Sequence, residues 1–85
     1  MHSWPLARKK STLVSLRMSL AEQVRSRRLR SYFSQTELAR RRGSSQSRIA
    51  KLEAAESDVS IDLLFKALFA TGANMRDVGK VVAAV

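Results

Sequence analysis

The sequence predicts an all-α fold, a compact bundle of about five helices. Apolar residues recur every three or four positions along most of the chain, which is the spacing of one helix face. A serine or asparagine precedes each of the later apolar segments, where its side chain can cap the first helical turn, and a glycine follows two of them. A length of 85 residues allows one domain with a modest core.

Positive charge is concentrated in the first part of the chain. The formal net charge is +9 at pH 7. Residues 1–51 hold thirteen Lys and Arg against two acidic residues, whereas residues 52–85 hold three against five. A basic surface confined to one part of a domain is the electrostatic footprint of a nucleic-acid binder, while a uniform spread would indicate only solubility.

The composition argues against several other classes of protein. The chain has no cysteine, which excludes disulfides and thiolate metal sites. No apolar run approaches the roughly 18–20 residues of a membrane span, and residues 1–11 lack the apolar stretch of a secretory signal. We therefore expect a cytoplasmic, nucleoid-associated protein. A single histidine, His2, and the absence of a glycine-rich phosphate loop predict no enzyme, no cofactor and no metal.

The amino-terminal residues show little periodicity. Residues 1–11 contain Pro5 and the basic run Arg8-Lys9-Lys10, which predicts a flexible basic leader before a domain at residues 12–85. The alternative is a basic arm that contacts a nucleic-acid backbone or minor groove.

The first helix is predicted from about residue 13 to 31. Its apolar stripe consists of Leu13, Leu16, Leu20, Val24, Leu29 and Phe33. Its outer surface is expected to carry Arg25, Arg27, Arg28 and Arg30. Two alternatives stay open: a later start at Ser19, which forms a capping box with Glu22, and a short strand over residues 14–18, where apolar residues alternate.

Residues 34–53 predict two short helices joined by a tight turn. Ser34 and Glu37 have the spacing of a capping box at the start of the first helix. Ala39 is small enough to let the two helices cross closely. Gly43 ends the first helix, because a C-terminal cap needs a positive φ that glycine adopts at little cost.

The second helix of this pair begins after Ser45, which can cap it. Its inward residues are Ile49 and Leu52, which are three positions apart and share one face. A small residue in one helix, a glycine at the turn and a β-branched residue in the next helix are the sizes that a helix-turn-helix needs.

This stretch resembles the lambda-repressor-like helix-turn-helix family, also called the XRE family. The matching residues are Ser34, Gln35, Glu37, Leu38, Ala39, Gly43, Ser45, Gln46, Ser47, Ile49 and Glu53. The resemblance covers residues 19–72 and implies a sequence-specific DNA-binding transcriptional regulator, in particular a repressor. The chain departs from the family at Ser44, where an apolar residue usually fills the turn, and at Ala55, where glycine is frequent.

The resemblance also implies which residues contact DNA. The second helix would place its amino-terminal residues against base edges in the major groove. Base reading is therefore expected of Gln46, Ser47, Arg48 and Lys51, with a phosphate as the alternative target of Arg48. Phosphate contacts are expected of Gln35, Arg40, Arg41, Arg42 and Ser45, although three consecutive arginines cannot all face one phosphate track. Arg28 and Glu53 are expected to form a partly buried structural pair.

Residues 61–71 predict a helix that Ser60 caps and Gly72 ends. It is apolar almost all round, so it must be buried on more than one side. Asn74 could cap a last helix, with a terminal strand as the alternative; its apolar stripe is Val78, Val81, Val82 and Val85. The apolar helix and these valines are the candidate interface of a homodimer on double-stranded DNA.

Other functions of such a domain make different demands on these residues. The size and the resemblance are also typical of HigA-type antitoxins, which repress their own operon and bind a protein toxin. A protein-interaction module with an idle DNA face is expected to lose the basic surface, which this chain keeps. RNA binding would favour aromatic stacking platforms, yet aromatic residues make up only 6% of the chain. A membrane-surface helix would not need a glycine turn.

Overall fold

A computed structural model describes residues 5–85 of the chain, with side chains from residue 12 onward. These residues form five α-helices and no strand: α1 Pro5–Arg30, α2 Gln35–Arg42, α3 Gln46–Glu53, α4 Ile61–Ala70 and α5 Met75–Ala83. The prediction of an all-α bundle of about five helices is confirmed. Both strand alternatives are wrong, because residues 14–18 lie inside α1 and the valine-rich end forms α5.

The first helix is longer than predicted, since its backbone is helical from Pro5 rather than from about residue 13. Proline is well placed at a first helical position, where its missing N–H would be unpaired anyway and its fixed φ suits the helix. The later start at Ser19 is also wrong, because α1 passes through it. Of the leader predicted over residues 1–11, residues 1–4 lie outside the described residues and the backbone of residues 5–11 continues α1.

The buried face of α1 is set by the four-residue spacing of Leu20, Val24 and Arg28, which places the three on one side of the helix. Leu20 and Val24 are fully buried, and Arg28 is only 7% exposed. The expectation from its charge, that Arg28 lies on the outer surface, is therefore wrong, whereas the family resemblance implied a partly buried position. Leu13 and Leu29, which the apolar stripe included, are exposed because they lie beyond or beside this face.

The four shorter helices begin at the predicted caps. Ser34, Ser45, Ser60 and Asn74 each accept a hydrogen bond from the backbone N–H three residues later. Asn74 completes a reciprocal capping box with Asp77, which explains why the last segment starts a helix.

Four residues that follow helices have a left-handed backbone, and two of them are not glycine. Gly43 has φ +70° and Gly72 has φ +96°. Ala55 and Tyr32 adopt the same region with φ 55° and 61°. An L-residue there costs roughly 1–2 kcal/mol. Ala55 stands where the family often has glycine, so the local backbone is kept although the residue differs.

The apolar helix α4 packs against both α1 and α2, which accounts for its nearly continuous apolar sequence. Leu64, Ala67 and Leu68 are fully buried, while Leu63 and Phe69 stay exposed. Helix α5 packs against α1 and leaves its last valines at the surface. Among the described residues, none of the helices is long and apolar enough to cross a membrane.

Two glycine substitutions are expected to change stability in opposite directions. Gly43→Ala should lower the free energy of unfolding by about 1 kcal/mol, because φ +70° strains any Cβ. Gly79→Ala should raise it by about 0.5–1 kcal/mol, since Gly79 lies inside α5 with open space for a Cβ. Urea unfolding with linear extrapolation measures both. A change of the same sign in the two variants would contradict the assigned backbone conformations.

Candidate nucleic-acid interface

The amino-terminal part of α3 presents a polar face to solvent. Gln46, Ser47 and Arg48 are exposed in its first turn, and Lys51 is exposed one turn further along. The opposite face is fixed by Ile49 and Leu52, which are buried in the core against α1 and α2. All four residues predicted to read bases therefore lie on accessible surface of one short helix.

The side chain of Gln46 is held in place by Gln35 at the start of α2. Nε2 of Gln46 donates to Oε1 of Gln35 at 2.6 Å. Nε2 of Gln35 in turn donates to Oε1 of Glu53 at 3.1 Å. A primary amide has two N–H donors and one oxygen acceptor, so Gln46 can still present a donor and an acceptor outward.

Glu53, at the end of α3, also pairs with Arg28 of α1. Nε and Nη2 of Arg28 donate to the two carboxylate oxygens of Glu53 at 2.6 and 2.9 Å, a bidentate geometry that only arginine provides. Nη1 of Arg28 donates to the carbonyl oxygen of Phe33 at 2.9 Å. The two side chains are 9% and 4% exposed.

The surroundings of Arg28 favour its charged form. The hydrogen bond to Glu53 raises the pKa of the Arg28 guanidinium above its ordinary value, although burial acts in the opposite direction.

Arg28, Glu53, Gln35 and Gln46 form one continuous set of hydrogen bonds, hereafter the polar network. It runs from the buried face of α1 to the exposed start of α3.

The three arginines predicted to contact phosphate differ in their surroundings. Arg40 and Arg41 both donate to Oε2 of Glu37. The hydrogen bond from Arg40, followed by the charge of Arg40 and the contact with Arg41, holds the pKa of the Glu37 carboxyl below its usual range. The guanidinium of Arg41 also lies 4.1 Å from the centre of the Phe33 ring. Arg42 is half-buried beside the turn, so the three do not form one uniform surface.

The loop that follows α3 carries the opposite charge. Glu56 and Asp58 are exposed in this loop, at the carboxyl end of the α3 face. Arg17 of α1 fixes the loop by donating to the carbonyl oxygens of Glu56, at 2.8 Å, and of Val59. Exposed positive charge therefore lies on α3, at Arg48 and Lys51, and on α2, at Arg40 and Arg41, whereas the loop after α3 is negative.

Sequence reasoning missed one hydrogen bond of this arrangement. Gln35 was expected to contact phosphate, but its bond to Glu53 was not predicted. Residue spacing within α2 or α3 does not predict the Gln35–Glu53 bond, because the start of α2 and the end of α3 meet only in the folded domain.

No cluster of three or more potential metal ligands occurs among the described residues.

The chain matches a known protein family. A family model described as helix-turn-helix, of the XRE type, matches residues 24–73, which include the polar network, both helices of the motif and α4. Neither the curated proteins nor the solved structures give a significant match. The matched model gives no support for the HigA-type subfamily.

The Arg28–Glu53 pair is expected to matter far more for stability than an exposed pair. Arg28→Met should lower the free energy of unfolding by about 3 kcal/mol, because the buried Glu53 carboxylate loses its cation. Lys66→Met is the matched control: it breaks the 3.0 Å contact with Asp62 on the exposed side of α4 and should change stability by less than about 1 kcal/mol. Urea unfolding of both variants is the measurement, and equally small losses would contradict a structural role for Arg28.

Proposed function

Because the chain belongs to the XRE-type helix-turn-helix family, we propose that it is a sequence-specific DNA-binding regulator of transcription that represses its target genes. The observation that supports this most is the α3 surface, where Gln46, Ser47, Arg48 and Lys51 are exposed while the opposite face is buried. In the docking geometry of the motif, this part of α3 enters the major groove. The proposal includes no catalytic activity and no cofactor.

Base reading follows from the chemistry of the exposed side chains. The amide of Gln46 offers a donor beside an acceptor, which matches N7 and N6 of adenine. Lys51 suits the acceptors of guanine, and Ser47 tolerates either base. Arg48 either reads guanine or contacts a phosphate. The polar network orients Gln46 before DNA arrives, so less side-chain entropy is lost on binding.

Phosphate contacts would flank the base-reading residues. Gln35 and Ser45 lie at the amino-terminal ends of α2 and α3, where unpaired backbone N–H groups and the helix dipole favour an anion. Arg40 and Arg41 add cationic groups next to Glu37, and Arg42 adds one at the turn. Neutralising phosphates releases counterions, so the affinity should fall steeply as salt rises.

A homodimer is part of the proposal, because one recognition helix reads only a few base pairs. Two half-sites about 34 Å apart would match a two-fold symmetric pair. Much of the apolar surface of α4 is used in the core, which leaves Leu63 and Phe69 exposed on that helix. Phe69, Val82 and Val85 are the proposed dimer surface. Leu63 lines a hollow with Arg48 and Lys51, so it lies beside the proposed DNA face instead.

The antitoxin role stays a prediction from the sequence. It would keep the same DNA-binding face and add a surface for a protein toxin. Co-purification with the product of the neighbouring gene, followed by a growth assay of that product alone, distinguishes an antitoxin from a simple repressor.

Two substitutions should separate base reading from phosphate binding. Bound sequences are first selected from random duplex DNA at two salt concentrations, and affinities are then measured for the best site and a shuffled site. Gln46→Ala should weaken the best site selectively, by roughly 1–3 kcal/mol. Arg41→Ala should weaken both sites alike and reduce the salt slope by about one.

The control for these variants is Lys80→Gln, which removes one positive charge from α5, a helix that packs against α1. It should change both affinities less than Arg41→Ala does. Full wild-type selectivity in Gln46→Ala together with full wild-type affinity in Arg41→Ala would count against the proposed DNA face.

A further inference from the structure

Tyr32, between α1 and α2, combines two unusual properties. The residue is 96% exposed, and its backbone is left-handed with φ 61°. Comparable turns after α2 and α4 use Gly43 and Gly72. An L-residue in this conformation is less favourable than glycine, and so exposed a ring gains almost no packing to offset that strain.

The turn itself is held by neighbours of Tyr32 rather than by its ring. The Phe33 N–H donates to the carbonyl oxygen of Arg28 at 3.0 Å, and the Phe33 carbonyl oxygen accepts from Nη1 of Arg28 at 2.9 Å. The Phe33 ring lies beneath the guanidinium of Arg41. Tyr32 is therefore presented on a fixed backbone, with its ring and hydroxyl free for an external partner.

The position of Tyr32 places it beside the proposed DNA face. It precedes Gln35 by three residues, so the two Cα atoms are at most about 11 Å apart. Gln35 is bonded directly to Gln46, the first residue of α3. The start of α2 is also where the proposed function puts a phosphate, so Tyr32 is close along the chain to that phosphate.

We propose that Tyr32 is a DNA-backbone contact, in which its phenol O–H donates to an oxygen of a phosphate adjacent to the one at the start of α2. This inference rests on the proposed function. Tyrosine hydroxyls are among the groups that contact phosphates, and such contacts fix the register on DNA without reading sequence. Tyr32 then contributes affinity for every duplex and no selectivity.

The test uses two variants of the full chain, one expected to raise its thermal stability and one expected to leave it unchanged. Tyr32→Gly removes the ring and relieves the left-handed backbone, so the thermal midpoint should rise while affinity falls about tenfold for selected and shuffled duplexes alike. Tyr32→Phe keeps ring and backbone, so the midpoint should stay at the wild-type value while most of that affinity loss remains. A purely structural role cannot produce higher stability together with weaker binding.

Leu29→Ala is the matched control, since Leu29 is an exposed apolar residue one turn earlier and should leave affinity unchanged. If wild-type protein selects no sequence and binds no duplex, the proposed function fails. If wild-type protein binds but both Tyr32 variants bind equally well, only the Tyr32 contact is overturned. A loss of self-association by Tyr32→Gly without DNA, seen in sedimentation, would also overturn it in favour of a protein contact.

Discussion

The ion pair between Arg28 and Glu53 is the interaction on which the rest of this domain depends. It joins the end of α1 to the end of α3, and a third bond from Arg28 to the Phe33 carbonyl ties in the turn that leads to α2. Two helices and the turn before α2 therefore meet at one buried guanidinium. Because a buried carboxylate without its cation is strongly unfavourable, relative displacement of these helices is opposed.

This pair has consequences beyond stability, because Glu53 also accepts from Gln35 and Gln35 accepts from Gln46. A buried ion pair adds little net stability over well-packed apolar residues, but it can specify one arrangement. In this domain the arrangement is the orientation of an exposed amide at the start of α3. We infer that the polar network links core packing to the proposed base reading by Gln46.

Local signals could be read from the sequence, and non-local ones could not. The capping residues and Gly43 were predicted correctly because a cap acts within three or four residues of itself. The start of α1 was placed too late, since periodicity was weighted above the fit of Pro5 to a first helical position. The four-residue spacing from Val24 places Arg28 on the inward face of α1, whereas its charge alone favours the outer surface. Residue spacing predicts neither the Gln35 bond to Glu53 nor the left-handed backbone of Tyr32.

The most direct test is an NMR titration of isotope-labelled protein with a duplex selected from random DNA. We expect the side-chain amides of Gln46 and Gln35, and the backbone amides of residues 34–51, to shift most and those of α5 to shift least. A shuffled duplex should leave the Gln46 side-chain amide nearly unperturbed. Shifts concentrated on α5 or the exposed side of α4, with Gln46 unchanged by the selected duplex, would show that α3 is not the DNA-binding face.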